Sequence, residues 1–206
     1  MPKQTFFNLN KDKQDRIIHA AISEFSNKVY EQVNLSDIIR QSKIPRGSFY
    51  QYFQDKKDLY FHIIDTIKDA KMSYLKDIFF REDMKFLDLF KQLYLQGIKF
   101  AIDHPMYVNI FDKLLNNKNE IYDELMKESK VFAIQYYSNM INRDKEKGYL
   151  KKSIDTNTLA RMVNDITINI TLDELDAKNK DESYQKMMDY VNHLIHILKE
   201  GIETDE

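Results

Sequence analysis

The sequence predicts an all-α protein of about nine helices, because helix breakers are sparse and apolar residues follow a helical period. Only four Gly and three Pro occur in 206 residues, too few for the many turns of an all-β fold. Apolar residues recur three and four positions apart, which places them on one helix face. The expected helices span about residues 11–27, 35–42, 45–52, 56–79, 84–103, 105–115, 119–147, 156–176 and 181–201.

The second and third expected helices begin at recognisable signals. Asn34 precedes the second helix as a candidate N-cap, with Asp37 three residues on, a pair that resembles a capping box. Pro45 opens the third, because proline suits the first helical position. Together the three helices need only a small core, for which the sequence offers Ile18, Phe25, Leu35, Ile38, Ile39, Ile44, Phe49 and Phe53.

Of the later helices, 156–176 is the most ambiguous. Ile166, Ile168 and Ile170 alternate as they would in a strand. We still predict a helix, because Val163, Ile166 and Ile170 also keep helical spacing and a lone strand would leave its backbone groups unpaired. The clearest helix is the last, whose apolar stripe comprises Tyr184, Met187, Met188, Val191, Leu194, Ile195, Leu198 and Ile202.

Composition excludes several classes of protein. No Cys occurs, so neither a disulfide framework nor a thiolate metal site is possible. The first residues, MPKQTFFNLNKDK, lack the apolar stretch of a signal peptide. No apolar run approaches the roughly 20 residues that span a bilayer. We therefore expect a soluble, cytoplasmic protein without a membrane partner.

Charge is distributed unevenly along the chain. Residues 1–57 contain ten Lys or Arg against six Asp or Glu, a balance of +4, whereas the whole chain carries −2, so residues 58–206 carry −6. A basic front and an acidic body suit a protein that presents one end to a polyanion. Chance unevenness explains the same balance equally well.

Residues 29–60 carry the pattern with the clearest functional meaning. Two short helices joined by a tight turn, after a longer helix, form a head able to place a helix in the major groove of DNA. The third helix shows no acidic side chain on its polar side. Arg46 can bond guanine or phosphate, and Gln51 can pair with adenine. The expected DNA contacts are Asn34, Ser36, Arg46, Gly47, Ser48, Tyr50, Gln51, Tyr52 and Lys56.

Two runs in this stretch resemble the TetR family of bacterial regulators. They are IPRGSFYQYFQDKKDL, which begins at Ile44, and VYEQVNLSDI, which begins at Val29. The resemblance covers residues 11–60 and implies a helix-turn-helix head. Lys43 stands where the family has a turn glycine, so a left-handed backbone there would cost roughly 1 kcal/mol. The alternative interpretation is a generic three-helix unit that contacts other proteins.

The resemblance implies that residues 1–55 form the helix-turn-helix DNA-binding domain and residues 56–206 a larger helical domain for effector binding and dimerisation. Aromatic residues of the middle helices suit a small hydrophobic or aromatic effector, although ordinary core packing explains each one as well. The candidate effector residues are His62, Phe90, Tyr94, Tyr107, Phe111, Tyr122, Phe132, Tyr136 and Met140.

Self-association is expected through the last two helices, packed against their mates as a four-helix bundle. The alternative is that their apolar stripes belong to the internal core alone. The candidate dimerisation residues are Val163, Ile166, Ile170, Met188, Val191, Leu194, Ile195 and Leu198.

The function predicted from these features is a homodimeric transcription repressor that binds a palindromic double-stranded DNA operator and is released by its effector. An activator or a nucleoid-type DNA binder would share the same head. A helical enzyme is disfavoured, because no Ser-His-Asp set or phosphate loop occurs at a meaningful spacing. His193 and His196 stand three residues apart, but without an evident third ligand. We expect no metal and no cofactor.

Overall fold

A computed structural model describes residues 1–174 and 179–202 of the chain, and the side chains of these ranges except 167–174 and 180. No helix among these residues is both long enough and apolar enough to cross a membrane. The described residues form ten α-helices: α1 Gln4–Phe7, α2 Lys11–Asn27, α3 Leu35–Gln41, α4 Arg46–Tyr52, α5 Lys56–Phe79, α6 Phe86–Asp103, α7 Pro105–Asn116, α8 Glu120–Glu146, α9 Thr156–Glu174 and α10 Lys180–Ile202.

The all-α prediction is confirmed, and nine of these helices match the expected ones. Helix α9 forms despite its alternating isoleucines, as the helical spacing of its other apolar residues indicates. The expected end of that helix, residue 176, lies outside the described residues. Helix α1 was not expected, because four residues are too few to show a hydrophobic period.

Asn34 caps α3 as the sequence predicts, but the capping box does not close. The side chain of Asn34 accepts a hydrogen bond from the backbone N–H of Ser36 at 2.9 Å. The carboxylate of Asp37 instead accepts from Arg40 at 2.8 Å. Aspartate is one methylene shorter than the glutamate usual at this position, and it pairs along its own helix instead.

The described chain contains two compact units. Unit 1 comprises Met1–Lys71 and His104–Asp123. In it, α2 packs against α3 and α7, and α4 packs against α1 and α3. Unit 2 comprises Met72–Asp103 and the described residues from Glu124 onward. In it, α6, α9 and α10 pack against one another.

The core of unit 1 includes most of the residues that the sequence predicts. Phe25, Phe49 and Phe53 are at most 1% exposed, and Ile38, Ile39 and Ile44 are also buried. Ile18 and Leu35 are only half-buried, contrary to prediction. Three buried phenylalanine rings thus contribute a large apolar area to the core of this unit.

The core of unit 2 contains several of the predicted dimerisation residues. Val163, Val191, Ile195 and Leu198 are at most 6% exposed within their own chain, where they pack around Phe86 and its neighbours. These four side chains are therefore covered within their own chain, and their part in a dimer face stays a prediction. Among the remaining candidates, Ile166, Met188 and Leu194 are half-buried, and the side chain of Ile170 lies outside the described residues.

A buried carboxylate joins the start of α6 to the end of α8. Asp144 is 1% exposed, and its Oδ2 accepts from the backbone N–H of Phe86 at 2.5 Å. Its Oδ1 accepts from the Nε and Nη2 of Arg143 at 2.9 and 2.7 Å. Arg143 also donates to the carbonyls of Glu82 (2.8 Å) and Met84. One ion pair thus organises the connection between α5 and α6.

Candidate nucleic-acid interface

The turn between α3 and α4 orients the predicted DNA-reading helix. The fully buried Ser42 donates its hydroxyl to the carbonyl of Ile38 at 2.6 Å, which closes α3. Lys43 then adopts φ +53°, in the left-handed region. This confirms the strain expected where the resembling family has glycine. Pro45 precedes α4 with no side-chain cap hydrogen bond, and its fixed φ favours the start of a helix.

Replacing Lys43 with glycine is expected to raise the free energy of unfolding by about 1 kcal/mol, because glycine adopts positive φ without a Cβ clash. Chemical denaturation followed by circular dichroism measures the change. Lys118, in the loop between α7 and α8, is the matched control, since Lys43 is the non-glycine residue with positive φ in the described chain. Stabilisation by Lys118→Gly as large as that by Lys43→Gly would contradict the strain at Lys43.

Most of the polar face of α4 points outward, as predicted. Arg46, Tyr50 and Gln51 are exposed, and Ser48 is half-buried. Tyr52 is the exception, since it is 5% exposed and its hydroxyl accepts from the Nζ of Lys13 at 2.9 Å. The prediction that Tyr52 faces outward is therefore wrong. It lies three residues after the buried Phe49 and so shares the inner face of the helix, a spacing already present in the sequence.

Gly47 lies at the start of α4 with open space around it. A Cβ built on this residue meets no atom within 4 Å, so nothing inside the described chain requires glycine. Glycine within a helix is destabilising by roughly 0.5–1 kcal/mol relative to alanine. A glycine without an internal role fits a surface that another molecule approaches closely, as the sequence predicts for DNA.

The starts of α3 and α4 meet on the surface of unit 1. Nη1 of Arg46 donates to the hydroxyl of Ser36 at 3.1 Å, and the backbone N–H of Ser36 bonds the side chain of Asn34. All three residues are exposed. Two helix N-termini and one guanidinium thus share a small surface, an arrangement that favours an anion such as a phosphate.

The sequence predicts that Lys56 contacts DNA, but its ammonium group is hydrogen-bonded to backbone carbonyls of unit 1. Its Nζ donates to the carbonyls of Tyr30 at 2.8 Å and Val33 at 2.9 Å, with Glu31 at 3.5 Å. It also lies 4.4 Å from the centre of the Tyr30 ring. Partial burial lowers the pKa of Lys56 below its usual value. Its three donors are therefore directed at the segment before α3, and sequence spacing alone cannot reveal carbonyls that converge from another segment.

Two more interactions brace that segment within unit 1. The amides of Asn117 and Asn119 donate to the two carboxylate oxygens of Glu31, at 2.7 and 2.5 Å. The loop between α7 and α8 is thereby tied to the turn that precedes α3. These contacts could not be predicted from local sequence, because 86 positions separate Glu31 from Asn117.

His62 belongs to the aromatic core of unit 1. Its ring centre lies 5.3 Å from that of Phe6 and 6.1 Å from those of Phe7 and Phe53. Burial among these rings lowers the pKa of His62 below its usual value. Core packing therefore accounts for His62, and its role in effector binding stays a prediction.

The other predicted effector residues divide between the two units. In unit 2, Tyr136 stacks on Phe79 with 4.1 Å between ring centres, and Phe132 stacks on the same ring at 5.9 Å. Phe90 and Tyr94 are buried in the core and Met140 packs against it. Unit 1 holds the half-buried Tyr107, Phe111 and Tyr122.

Two hollows lie on the described surface of unit 1, and no predicted effector residue lines either. One is bordered by Phe25, Tyr30, Tyr60 and neighbouring residues, and its interior of about 10 Å³ holds at most one water. The other is a polar surface hollow beside Asp12 and His19. The effector site therefore stays a prediction.

Comparison with known proteins identifies this head. Residues 17–63 match the family model described as bacterial regulatory proteins, tetR family. The chain is also similar along its whole length to a TetR family transcriptional regulator from Chloroflexus aurantiacus, with 27% identity, a TM-score of 0.80 and full coverage of both chains. The head of this chain, residues 17–63, is therefore of the TetR type. The fold of the chain, a helix-turn-helix followed by a larger helical region, is that of TetR-family transcription regulators, which are not enzymes.

Two relatives named as helix-turn-helix transcription regulators extend the comparison. The regulator YvdT of Bacillus subtilis is 25% identical, over 76% of this chain and 90% of its own. The regulator IcaR of Staphylococcus aureus, named as a negative regulator of the biofilm operon icaADBC, is 30% identical over 52% of this chain and 56% of its own. The chain thus spans about half the length of IcaR. With its TetR-type head and this fold, the chain is a DNA-binding transcription regulator.

Proposed function

We propose that this regulator is a homodimeric repressor that binds a palindromic operator and leaves it when a small hydrophobic effector binds. The exposed face of α4 carries the proposal. Arg46, Tyr50 and Gln51 are exposed there beside Gly47, where an added Cβ would meet no other part of the described chain within 4 Å. A guanidinium, a hydroxyl and an amide offer donors for base edges and phosphates, and α4 contains no carboxylate that would repel them.

Dimerisation is proposed through the outer face of α10. Tyr190 is 43% and Ile197 67% exposed, and their seven-residue separation places both on one face of the helix. Leu194, half-buried, lies between them on that face. Exposed apolar residues aligned on one helix suit a symmetric contact with the same helix of a second subunit. The side chains of Val163, Val191, Ile195 and Leu198 would support this face from beneath.

Repression and release complete the proposal. IcaR, which resembles the chain, is named as a negative regulator. The partly exposed rings of Phe79, Phe132 and Tyr136 supply an apolar surface for an effector in unit 2. Such an effector releases DNA only if it binds the DNA-free conformation more tightly than the DNA-bound one. The domain division at residues 55 and 56 belongs to this proposal.

Selection of bound duplexes from a random pool tests the proposed function. We expect an inverted repeat whose half-site centres lie about 34 Å apart or a multiple of that distance, because a dimer presents two α4 helices to successive turns of one DNA face. Sedimentation of the protein on the selected duplex should show two subunits per site. Enrichment of no sequence, or of a single unrepeated half-site bound by one subunit, would contradict the proposal.

A further inference from the structure

The carboxyl end of α4 depends on another part of the chain. The last four carbonyls of a helix have no partner within it. In α4, the carbonyl of Phe49 accepts from the backbone N–H of Phe53 at 2.9 Å, which leaves the carbonyls of residues 50–52. Residues 3–9, hereafter the N-terminal arm, supply partners for all three.

The arm donates one hydrogen bond to each of these carbonyls. The Nζ of Lys3 donates to the carbonyl of Tyr50 at 2.8 Å. The backbone N–H of Lys3 donates to that of Tyr52, also at 2.8 Å. The hydroxyl of Thr5 donates to the carbonyl of Gln51. Each carbonyl of residues 50–52 thus accepts a hydrogen bond from the arm, and two of these three bonds are donated by side chains.

Aromatic packing and a glutamine fasten the arm to unit 1. Phe6 is 2% exposed, with its ring centre 4.9 Å from that of Phe53 and 5.3 Å from that of His62. Gln14 of α2 donates its amide to the carbonyl of Leu9 at 2.9 Å. Lys3 and Thr5 are therefore carried by a segment whose position is set by a buried ring.

Helix α4 needs such support more than a longer helix would. It has seven residues, and Pro45 provides no side-chain cap at its start. Isolated helices of this length are unstable in water. Its carboxyl end also carries partial negative charge, which opposes binding to a polyanion. The ammonium of Lys3 on the Tyr50 carbonyl offsets that charge next to an exposed side chain.

We propose that the N-terminal arm positions α4 for operator binding, with Lys3 and Thr5 as positioning residues. The proposal rests on the proposed function, because it concerns how α4 is held when it reads DNA. The arm holds the backbone of Tyr50 and Gln51, whose side chains are exposed on the reading face. It acts through the helix and contacts no base itself. The arm lies outside residues 17–63, which match the family model.

Binding measurements on the full chain test this proposal, with a duplex selected by the unchanged protein and a random duplex of equal length. The double variant Lys3→Met with Thr5→Val is expected to bind the selected duplex roughly tenfold more weakly, since two helix-end hydrogen bonds are lost. Its affinity for the random duplex and its salt dependence should stay unchanged. Lys3→Arg with Thr5→Ser should restore binding, because both donors return.

Gln4→Ala is the matched control, since Gln4 donates to Asn8 within the arm and makes no described hydrogen bond to α4. Equal weakening on both duplexes, with a salt slope smaller by about one, would show that Lys3 contacts phosphate directly. That result would overturn the proposal. Unchanged binding of the double variant to the selected duplex would overturn it as well.

Amide hydrogen exchange on the free protein separates failure of this proposal from failure of the proposed function. The double variant should exchange the amides of residues 49–53 at least several-fold faster than the Gln4→Ala control does. Unchanged exchange would overturn the positioning role, whatever the DNA result. Faster exchange in a protein that selects no duplex would leave the support of α4 standing and refute operator binding.

Discussion

Replacing Arg46 and Tyr50 together with alanine is expected to weaken binding to a selected operator by about 100-fold, on the order of 3 kcal/mol. The two residues stand four positions apart on α4, both exposed, and so occupy one face. Loss of a guanidinium that pairs with guanine or phosphate removes about 1–3 kcal/mol. Loss of the tyrosine hydroxyl removes one further contact. Fluorescence anisotropy over a range of salt concentrations measures both affinity and salt slope.

The matched control for this variant lies in unit 2. Arg81 and Tyr149 are exposed there to a similar degree as the pair on α4, with Tyr149 at 40% and Tyr50 at 42%. Arg81→Ala with Tyr149→Ala removes the same charge and the same ring, and operator affinity should stay within about twofold. Unchanged affinity and salt slope in the Arg46 and Tyr50 variant would show that α4 does not read the operator.

The substitution Asp144→Ala is expected to lower the free energy of unfolding by about 3–5 kcal/mol, because it breaks a buried ion pair from one side. The backbone N–H of Phe86 and the guanidinium of Arg143 both lose a charged acceptor at this site. A buried donor without a partner is destabilising by about 1–3 kcal/mol on its own. Chemical denaturation followed by circular dichroism measures the loss.

Asp83→Ala is the control for this prediction. Asp83 pairs with Arg81 at 2.6 Å, but its side chain is 65% exposed, and exposed ion pairs contribute at most about 1 kcal/mol. Asp144→Asn should fall between the two, since it keeps one acceptor oxygen and loses the charge. An effect of Asp144→Ala no larger than that of Asp83→Ala would show that the cluster does not stabilise unit 2.

The helices of this protein could be predicted well from sequence because each long helix carries its own evidence. Apolar spacing in α10 and the rarity of breakers suffice without knowledge of any neighbour. The same logic failed for α1, because four residues show no hydrophobic period and this helix is stabilised by a tertiary contact of its Phe6 with Phe53. Short elements that are stabilised by tertiary contact leave little trace in local sequence.

The exposed polar face of α4 was predictable for a similar reason, and the one error, at Tyr52, was avoidable. Arg46, Tyr50 and Gln51 are exposed as expected. Tyr52 was expected among the DNA contacts, although it lies three residues from Phe49 on the inner face of the helix. Residue chemistry and helical position disagreed there, and the burial of the ring decided the outcome.

Apolar stripes on α9 and α10 show why periodicity cannot assign a partner. An apolar stripe indicates that one face of a helix is buried, but it does not indicate which part of this chain or of a second subunit covers that face. For Val163 and Val191, the cover is the core of their own chain. Ile197, which the predicted stripe does not include, is 67% exposed, more than any residue of that stripe. Predicted effector residues meet the same difficulty, because aromatic side chains line cores and cavities alike.

What the sequence determined by itself is local in origin: the all-α class, the helix-turn-helix, the strained turn at Lys43 and the polar face of α4. These follow from hydrophobic period, backbone sterics and side-chain chemistry within a few residues. Only the tertiary structure decided which carbonyls accept hydrogen bonds from Lys3 and Lys56, and which face of α10 is exposed to solvent. Those outcomes depend on groups that folding brings together from distant positions, and the hydrogen bonds they complete are required wherever water is excluded.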